Sequence, residues 1–153
     1  MKLLLQPINY SLIPKWIPIA LLILAFVGFA DATYLTIEHY QNEIPPCTIG
    51  GCESVLTSQY AQVIGVPVSL LGSVYYLFLI ILLFLFLDYK KEIFLRIPLL
   101  FSILGAVASL GFMFVMIFII KAFCQYCVLS AITSISIFLL SYWSLYLSRK
   151  VQG

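Results

Sequence analysis

The sequence predicts an all-α integral membrane protein, a bundle of four transmembrane helices, and three observations predict it. Of 153 residues, 63% are apolar or aromatic and 9% are charged, whereas a soluble domain runs near ~25% charged and ~45–50% apolar. The apolar residues collect in four stretches, each long enough to cross a hydrocarbon core of ~30 Å. Seven of the eight lysines and arginines fall on one side of a four-span arrangement. Too few charges remain to coat a water-soluble fold. That excludes an ordinary soluble enzyme, a nucleic-acid binder and a disordered chain. With about 20 residues needed per span, residues 1–153 are expected to be a single membrane domain.

The spans are expected near residues 16–37, 66–87, 97–120 and 126–147. In lipid the backbone must satisfy its own hydrogen bonds, so each should be a helix. The first stretch is too long for a signal h-region and no small-x-small cleavage site follows it, so it is expected to be retained. Lys2 and Lys15 precede the first span, Lys90, Lys91 and Arg96 separate the second from the third, and Arg149 and Lys150 follow the fourth. Only Lys121 lies on the other side, and the longest loop, residues 39–65, has no lysine or arginine. By the positive-inside rule both termini are expected in the cytoplasm, with that loop and the third-to-fourth junction outside the cytoplasmic membrane.

All four cysteines fall on the expected outer side: Cys47 and Cys52 within Cys-Thr-Ile-Gly-Gly-Cys, and Cys124 and Cys127 within Cys-Gln-Tyr-Cys at the start of the fourth span. Structural disulfides on an oxidising face would account for them, and so would a four-thiolate metal site. A redox relay accounts for more, and no metal is expected. At the start of a helix the first sulfur of Cys-x-x-Cys lies near unpaired N–H groups, which favour thiolate. Lys121 adds positive charge three residues earlier. Cys124 should therefore be the acidic, reactive thiol, and Cys127 should sit one turn deeper on the same face. One sulfur can then meet an aqueous thiol and the other a two-electron acceptor dissolved in the membrane, which means a quinone.

Pro45-Pro46 and Gly50-Gly51 frame the loop pair, so the Cys47–Cys52 segment should be a mobile turn. After it, Val55, Leu56, Val63 and Ile64 recur at near-helical spacing among polar residues. They read as an amphipathic helix lying over the outer face and capping the space above Cys127.

These residues resemble the bacterial vitamin K epoxide reductase homologues. The resemblance rests on Tyr34-Leu35-Thr36, Cys47, Gly51-Cys52, Val55-Leu56-x-Ser58-x-Tyr60-Ala61, Gly65-Val66-Pro67, Gly72-x-x-Tyr75-Tyr76 and Cys124-x-x-Cys127, in that order and spacing, from about Ala25 to Ala131. It implies a stand-alone member without the thioredoxin-like domain fused in many relatives. It also implies a thiol oxidase that reoxidises a secreted or periplasmic thioredoxin-fold (DsbA-like) protein and passes two electrons to a membrane quinone, ubiquinone or menaquinone. By resemblance, Cys47 exchanges with the partner, Cys52 attacks Cys124, and Cys127 faces the quinone. Ser58 matches a position near the quinone pocket. Val68 and Ala131 occupy pocket positions where the vertebrate enzymes carry an Asn and a Tyr. With both polar donors replaced, quinone reduction is expected rather than epoxide reduction.

Two other readings compete. The disulfide bond formation protein B scaffold also has four spans and four cysteines, but its Cys-x-x-Cys belongs to the first outer loop, the reverse of the order here. A non-enzymatic transport or assembly subunit with structural disulfides should carry more charged or broken helices at the midplane, where this chain has only Asp31. That carboxylate is a candidate proton carrier. His39 could be a base or simply a solvated side chain. Ser102, Gly105, Ser109 and Gly111 read as a close helix-packing surface.

Overall fold

The computed structural model describes residues 14–48, 50–89 and 93–150, with Leu95 and residues 148–150 described by backbone alone. Lys2, Lys90 and Lys91, used above for orientation, lie outside the described residues. Four long helices run antiparallel: α1 (Trp16–Gln41), α3 (Val68–Tyr89), α4 (Ile93–Phe114) and α5 (Gln125–Lys150). The chain is a multi-pass membrane protein, since four helices are long and apolar enough to cross a bilayer. Between α1 and α3 lie a short helix α2 (Cys52–Leu56), a 3-10 turn (Gln59–Ala61) and a two-residue hairpin of β1 (Gln62–Val63) and β2 (Val66–Pro67).

Where each helix stops is set locally. The first helix runs on to Gln41 and ends at Asn42, whose φ of 55° is left-handed and whose N–H reaches the carbonyls of Glu38 and His39. A left-handed cap thus closes α1 before Pro45-Pro46 can act. At 26 residues and 1.5 Å per residue, α1 is about 39 Å long, so it outruns the hydrocarbon core. Val66 and Pro67 belong to β2, paired with Val63 and Gln62, so α3 begins at Val68. The third long helix does not end cleanly. Beyond Phe114, α4 continues as a π-helical turn, Val115–Ile120, closed by Lys121 at φ 55°.

The amphipathic helix over the cysteine end is shorter than its residue pattern suggests. In α2, Val55 is buried and Glu53 and Ser54 are exposed. The helix stops at Leu56 because Ser58 turns extended and its hydroxyl donates to the Val55 carbonyl at 2.7 Å. Val63 and Ile64 leave the helical repeat for the hairpin. Ile64 and Gly65 form its two-residue turn with φ of 54° and 79°, the signature of a type I′ turn. A β-branched residue there is strained, and Ile64 is 99% exposed at the tip.

The least apolar long helices are the central ones. Mean hydropathy is 1.9 for the α1 span and 1.7 for α5, against 2.7 for the other two. Helices α1 and α5 pack on each other, α3 packs on α1, and α4 packs mainly on α5. A helix facing lipid must be apolar all round, whereas one facing other helices can hold hydroxyls that find partners there. Thr133, Ser134, Ser141 and Ser144 of α5 and Asp31 and Thr36 of α1 are all buried.

Tyr76 of α3 ties the centre together. It is buried, its hydroxyl donates to the Ser130 carbonyl at 2.9 Å, and it lies 2.8 Å from Thr133 Oγ1. Its ring fills the space over Gly28 of α1, where a Cβ would collide with it. Gly105 makes the same kind of room for the Tyr75 hydroxyl, whereas Gly111 faces open space and packs no neighbour. Gly28→Ala should therefore destabilise the bundle by about 1–3 kcal/mol, the usual effect of overpacking a close-packed site. Gly111→Ala should be neutral or stabilising by about 0.4–1 kcal/mol. Reversible unfolding in micelles would compare them, and equal shifts would refute the Tyr76–Gly28 contact.

Candidate active site

The start of α5 is built around a sulfur. Cys124 precedes the first helical residue, and its Sγ accepts from the Cys127 N–H at 3.3 Å, as a side-chain acceptor does at a helix N-cap. The Cys127 thiol donates to the same Sγ at 2.7 Å. The Cys124 N–H points to Met116 Sδ at 3.4 Å. Met116 comes from the π-helical turn, and an extra residue per turn carries it under Cys124. Cys52, Val55, Met116 and Cys124 form one fully buried cluster.

The Cys127 thiol, donating across that short distance, holds Cys124 below the ordinary thiol range. The N–H groups of Cys127 and Tyr126 add to the effect, while burial and the Asp31 charge oppose it. An acidic Cys124 was expected, but Lys121 is not what produces it. Lys121 is exposed, and its role here is to turn the chain through a left-handed conformation toward α5.

The loop pair is joined as the Cys47–Cys52 disulfide, with Cα atoms 6.0 Å apart. Cys52 is fully buried against the start of α5. Gly51 permits this approach, since a Cβ there would strike the Phe123 backbone. The expected mobile turn is instead held down. Thr48 donates to Gln125 Oε1 through Oγ1 at 2.6 Å and through its N–H at 3.4 Å. Gln125 Nε2 and the Tyr126 hydroxyl both donate to the Pro46 carbonyl, at 3.4 and 3.2 Å. Tyr126 also stacks on Tyr34, ring centroids 5.5 Å apart. The two residues between the inner cysteines thus clamp the loop carrying the outer ones. Neither was singled out in the sequence, where a Gln-Tyr pair between cysteines signals nothing until the loop lies over it.

The four long helices and residues within 56–63 line a partly open cavity of ≈ 770 Å³ that reaches Cys127. Ser58, Val68, Cys127 and Ala131 all line it, so four positions distant in sequence share one space. Ser58 contributes an oxygen whose proton is already given to Val55. Among the cavity's other lining groups Asp31 Oδ2 is buried without a hydrogen-bond partner, and the buried Tyr75 hydroxyl and Ser134 Oγ lie together over Gly105 with no partner beyond each other. His39 lies toward the mouth and is joined to Gln62 at 3.2 Å, so it braces the hairpin. Tyr75 and Ser134 were not among the expected site residues, because a polar residue in a span signals function or packing equally until its neighbours are known.

Chemically, the site holds an oxidised pair, a reduced pair beside it with one acidic thiol, and a largely apolar chamber reached by one sulfur of the second pair. Residues 19–142 match the family described as the vitamin K epoxide reductase family. No curated protein matches the chain.

Removing the donor at Cys127 should raise the midpoint of Cys124 alkylation against pH, so Cys127→Ala slows alkylation at neutral pH. Lys121→Glu should move that midpoint less, and the reverse ranking would make Lys121 the controlling charge. Gln125→Leu should loosen the loop. A net hydrogen bond contributes about 1 kcal/mol, so amide exchange at Thr48 should quicken about fivefold. Unchanged exchange would show that the Cys52 anchor alone holds the segment.

Proposed function

The chain belongs to the vitamin K epoxide reductase family, a family of membrane oxidoreductases of disulfide-forming redox function, and from that footing we propose a specific reaction. The protein oxidises the dithiol of a secreted thioredoxin-fold partner and delivers two electrons to a membrane quinone. The observation that carries this reading is the order of the groups in space: the Cys47–Cys52 disulfide lies against Cys124, Cys124 against Cys127, and Cys127 against the cavity. The oxidised loop pair beside a reduced inner pair corresponds to the point where electrons have moved inward. In this reading the cysteine end of the bundle faces out of the cytoplasmic membrane, with both termini in the cytoplasm.

A partner thiolate attacks Cys47 Sγ, the Cys47–Cys52 bond breaks, and Cys52 leaves as thiolate. The partner's second thiol attacks the mixed disulfide, so the partner departs oxidised and Cys47 is released as a thiol. Cys52 then attacks Sγ of an oxidised Cys124–Cys127 pair, forming Cys52–Cys124 and freeing the Cys127 thiolate. Attack of Cys47 on Cys52 restores the loop disulfide, the Cys47 proton passes to the Cys127 thiolate, and Cys124 is left as thiolate beside a Cys127 thiol. The first attack needs Cys47 accessible, and it is only half-buried.

The cavity fits a quinone. Its volume lies within the roughly 300–1,000 Å³ of small-molecule sites, its wall is mostly apolar, and its orphaned polar groups await partners. A bound quinone supplies a two-electron sink. Tyr75 and Ser134 offer hydroxyl donors toward it, in place of the donors replaced by Val68 and Ala131. Val68 and Ala131 contribute apolar wall, and Ser58 contributes an acceptor oxygen near the mouth.

The relay order is testable with purified protein in liposomes containing quinone. Cys124→Ala and Cys127→Ala should each abolish turnover, and in Cys127→Ala the Cys124 thiolate should attack the Cys47–Cys52 disulfide with no Cys127 to resolve the product, so a Cys52–Cys124 link with a free Cys47 should appear on non-reducing mass mapping. Cys47→Ala should fail with a thioredoxin-fold substrate yet still oxidise a small dithiol, which reaches the inner pair directly. Loss of both activities in Cys47→Ala would overturn the order.

A further inference from the structure

One buried ionisable group of the cavity has no part in the relay. Asp31 sits on α1 and is 7% exposed. Its Oδ2 is buried without a hydrogen-bond partner, and it lines the same cavity as Cys127. A carboxylate kept for structure would be paired or capped, because burying it alone costs several kcal/mol. Thr36 on the same helix shows the structural alternative, donating to the Ala32 carbonyl at 2.7 Å. Among the described residues the only basic one lining the cavity is His39, about two turns along α1 and joined to Gln62. Asp31 lies close enough to the inner pair for its charge to act on Cys124.

We propose that Asp31 is the proton carrier of this cavity, taking the proton of the Cys127 thiol and handing it to the electron acceptor. The inference rests on the thiol-oxidase reading. Forming the Cys124–Cys127 bond from a Cys124 thiolate and a Cys127 thiol releases two electrons and one proton. Reducing a quinone to a quinol takes up two electrons and two protons. One proton therefore enters from water, past the mouth beside Glu38 and His39, both of which line the cavity. The other leaves Cys127 Sγ inside the bundle, where water is scarce. Asp31 Oδ2 accepts it and passes it to the acceptor's oxygen, so the carboxylate is regenerated each turnover.

The neighbours leave Asp31 alone in this role. From α3 the titratable groups on the cavity are Tyr75 and Tyr76, and the Tyr76 hydroxyl is already held at Ser130 and Thr133. From α5 it is Cys127 itself. The lining residues of α4 and its π-helical turn, residues 104–115, include no titratable side chain. On α1 the others are Glu38 and His39 at the mouth, and the segment between α1 and α3 adds the exposed Glu43 and Tyr60.

The test uses Asp31→Asn and Asp31→Glu beside the wild type in liposomes. With the cysteines reduced, single-turnover oxidation by a quinone should slow about 100-fold or more in Asp31→Asn, the usual effect of losing a proton-transfer group. Its rate should also lose the wild-type pH dependence, and Asp31→Glu should restore most of both. A second readout needs no quinone. When a water-soluble oxidant closes Cys124–Cys127, the infrared difference spectrum should show a carboxylic-acid band that is absent from Asp31→Asn. Should Asp31→Asn fail to fold, the band in wild type and its shift in Asp31→Glu still decide. An unchanged rate and pH profile in Asp31→Asn, or no carboxyl band in wild type, overturns the assignment of Asp31. A wild type that never reduces quinone overturns the thiol-oxidase reading instead.

Discussion

The short contact between the Cys127 thiol and Cys124 Sγ, at the first turn of α5, is the interaction around which the cysteine end is arranged. A helix beginning at a membrane surface leaves N–H groups unpaired. Most helices cap them with an oxygen; here a buried sulfur does it, and the same donors that cap the helix stabilise that sulfur as a thiolate. The neighbouring geometry follows from placing this sulfur under cover. The π-helical turn lowers Met116 beneath it, Lys121 reverses the chain in a left-handed conformation, and Gly51 lets the loop backbone close over it. The cap and the reactive group are one atom, so structure and chemistry cannot be altered separately there.

The second constraint is the bilayer. Hydroxyls and a carboxyl cannot face hydrocarbon, so the two helices that carry most of them, α1 and α5, lie inside and meet each other, and α3 and α4 meet more lipid. Between them, glycines and an aromatic pair divide the interior. Over Gly28 the interior is filled by the Tyr76 ring, whose hydroxyl is hydrogen-bonded to Ser130 and Thr133 at the edge of the cavity. Around Asp31, Tyr75 and Ser134 it stays open, with polar atoms lacking partners. Thr33 Oγ1 and Ser144 Oγ are also buried without partners but face no such space, so it is the coincidence of unpartnered polar atoms with an open cavity that marks the candidate chamber.

The loop must satisfy opposite demands in the proposed reaction. Exchange with a large partner needs Cys47 accessible, while transfer inward needs Cys52 within reach of Cys124. The clamp formed by Gln125 and Tyr126 answers both by holding the segment through a few partly exposed hydrogen bonds rather than through a packed core. Bonds of that kind, near 1 kcal/mol each, open and close readily.

Composition and periodicity were enough to determine four membrane helices, because a backbone in lipid has almost no alternative to the helix and the apolar runs are long. Order and spacing were enough to identify the four cysteines and the family resemblance, since the Cys-x-x-Cys, the Gly-Cys loop and the Tyr-Tyr pair are local patterns. The short helix α2 was legible, but its end was not, because Val63 and Ile64 fit a helical repeat equally well until a turn with two positive φ values claims the second of them. What only the tertiary structure decided is which groups share a space. Asp31, Tyr75, Cys127 and Ser134 come from three helices, and Gln125 meets Thr48 across 77 positions of chain. Helical periodicity tells which face a residue occupies but not which helix that face meets, so the cavity, its orphaned polar atoms and the clamp on the loop appear only once the bundle has closed.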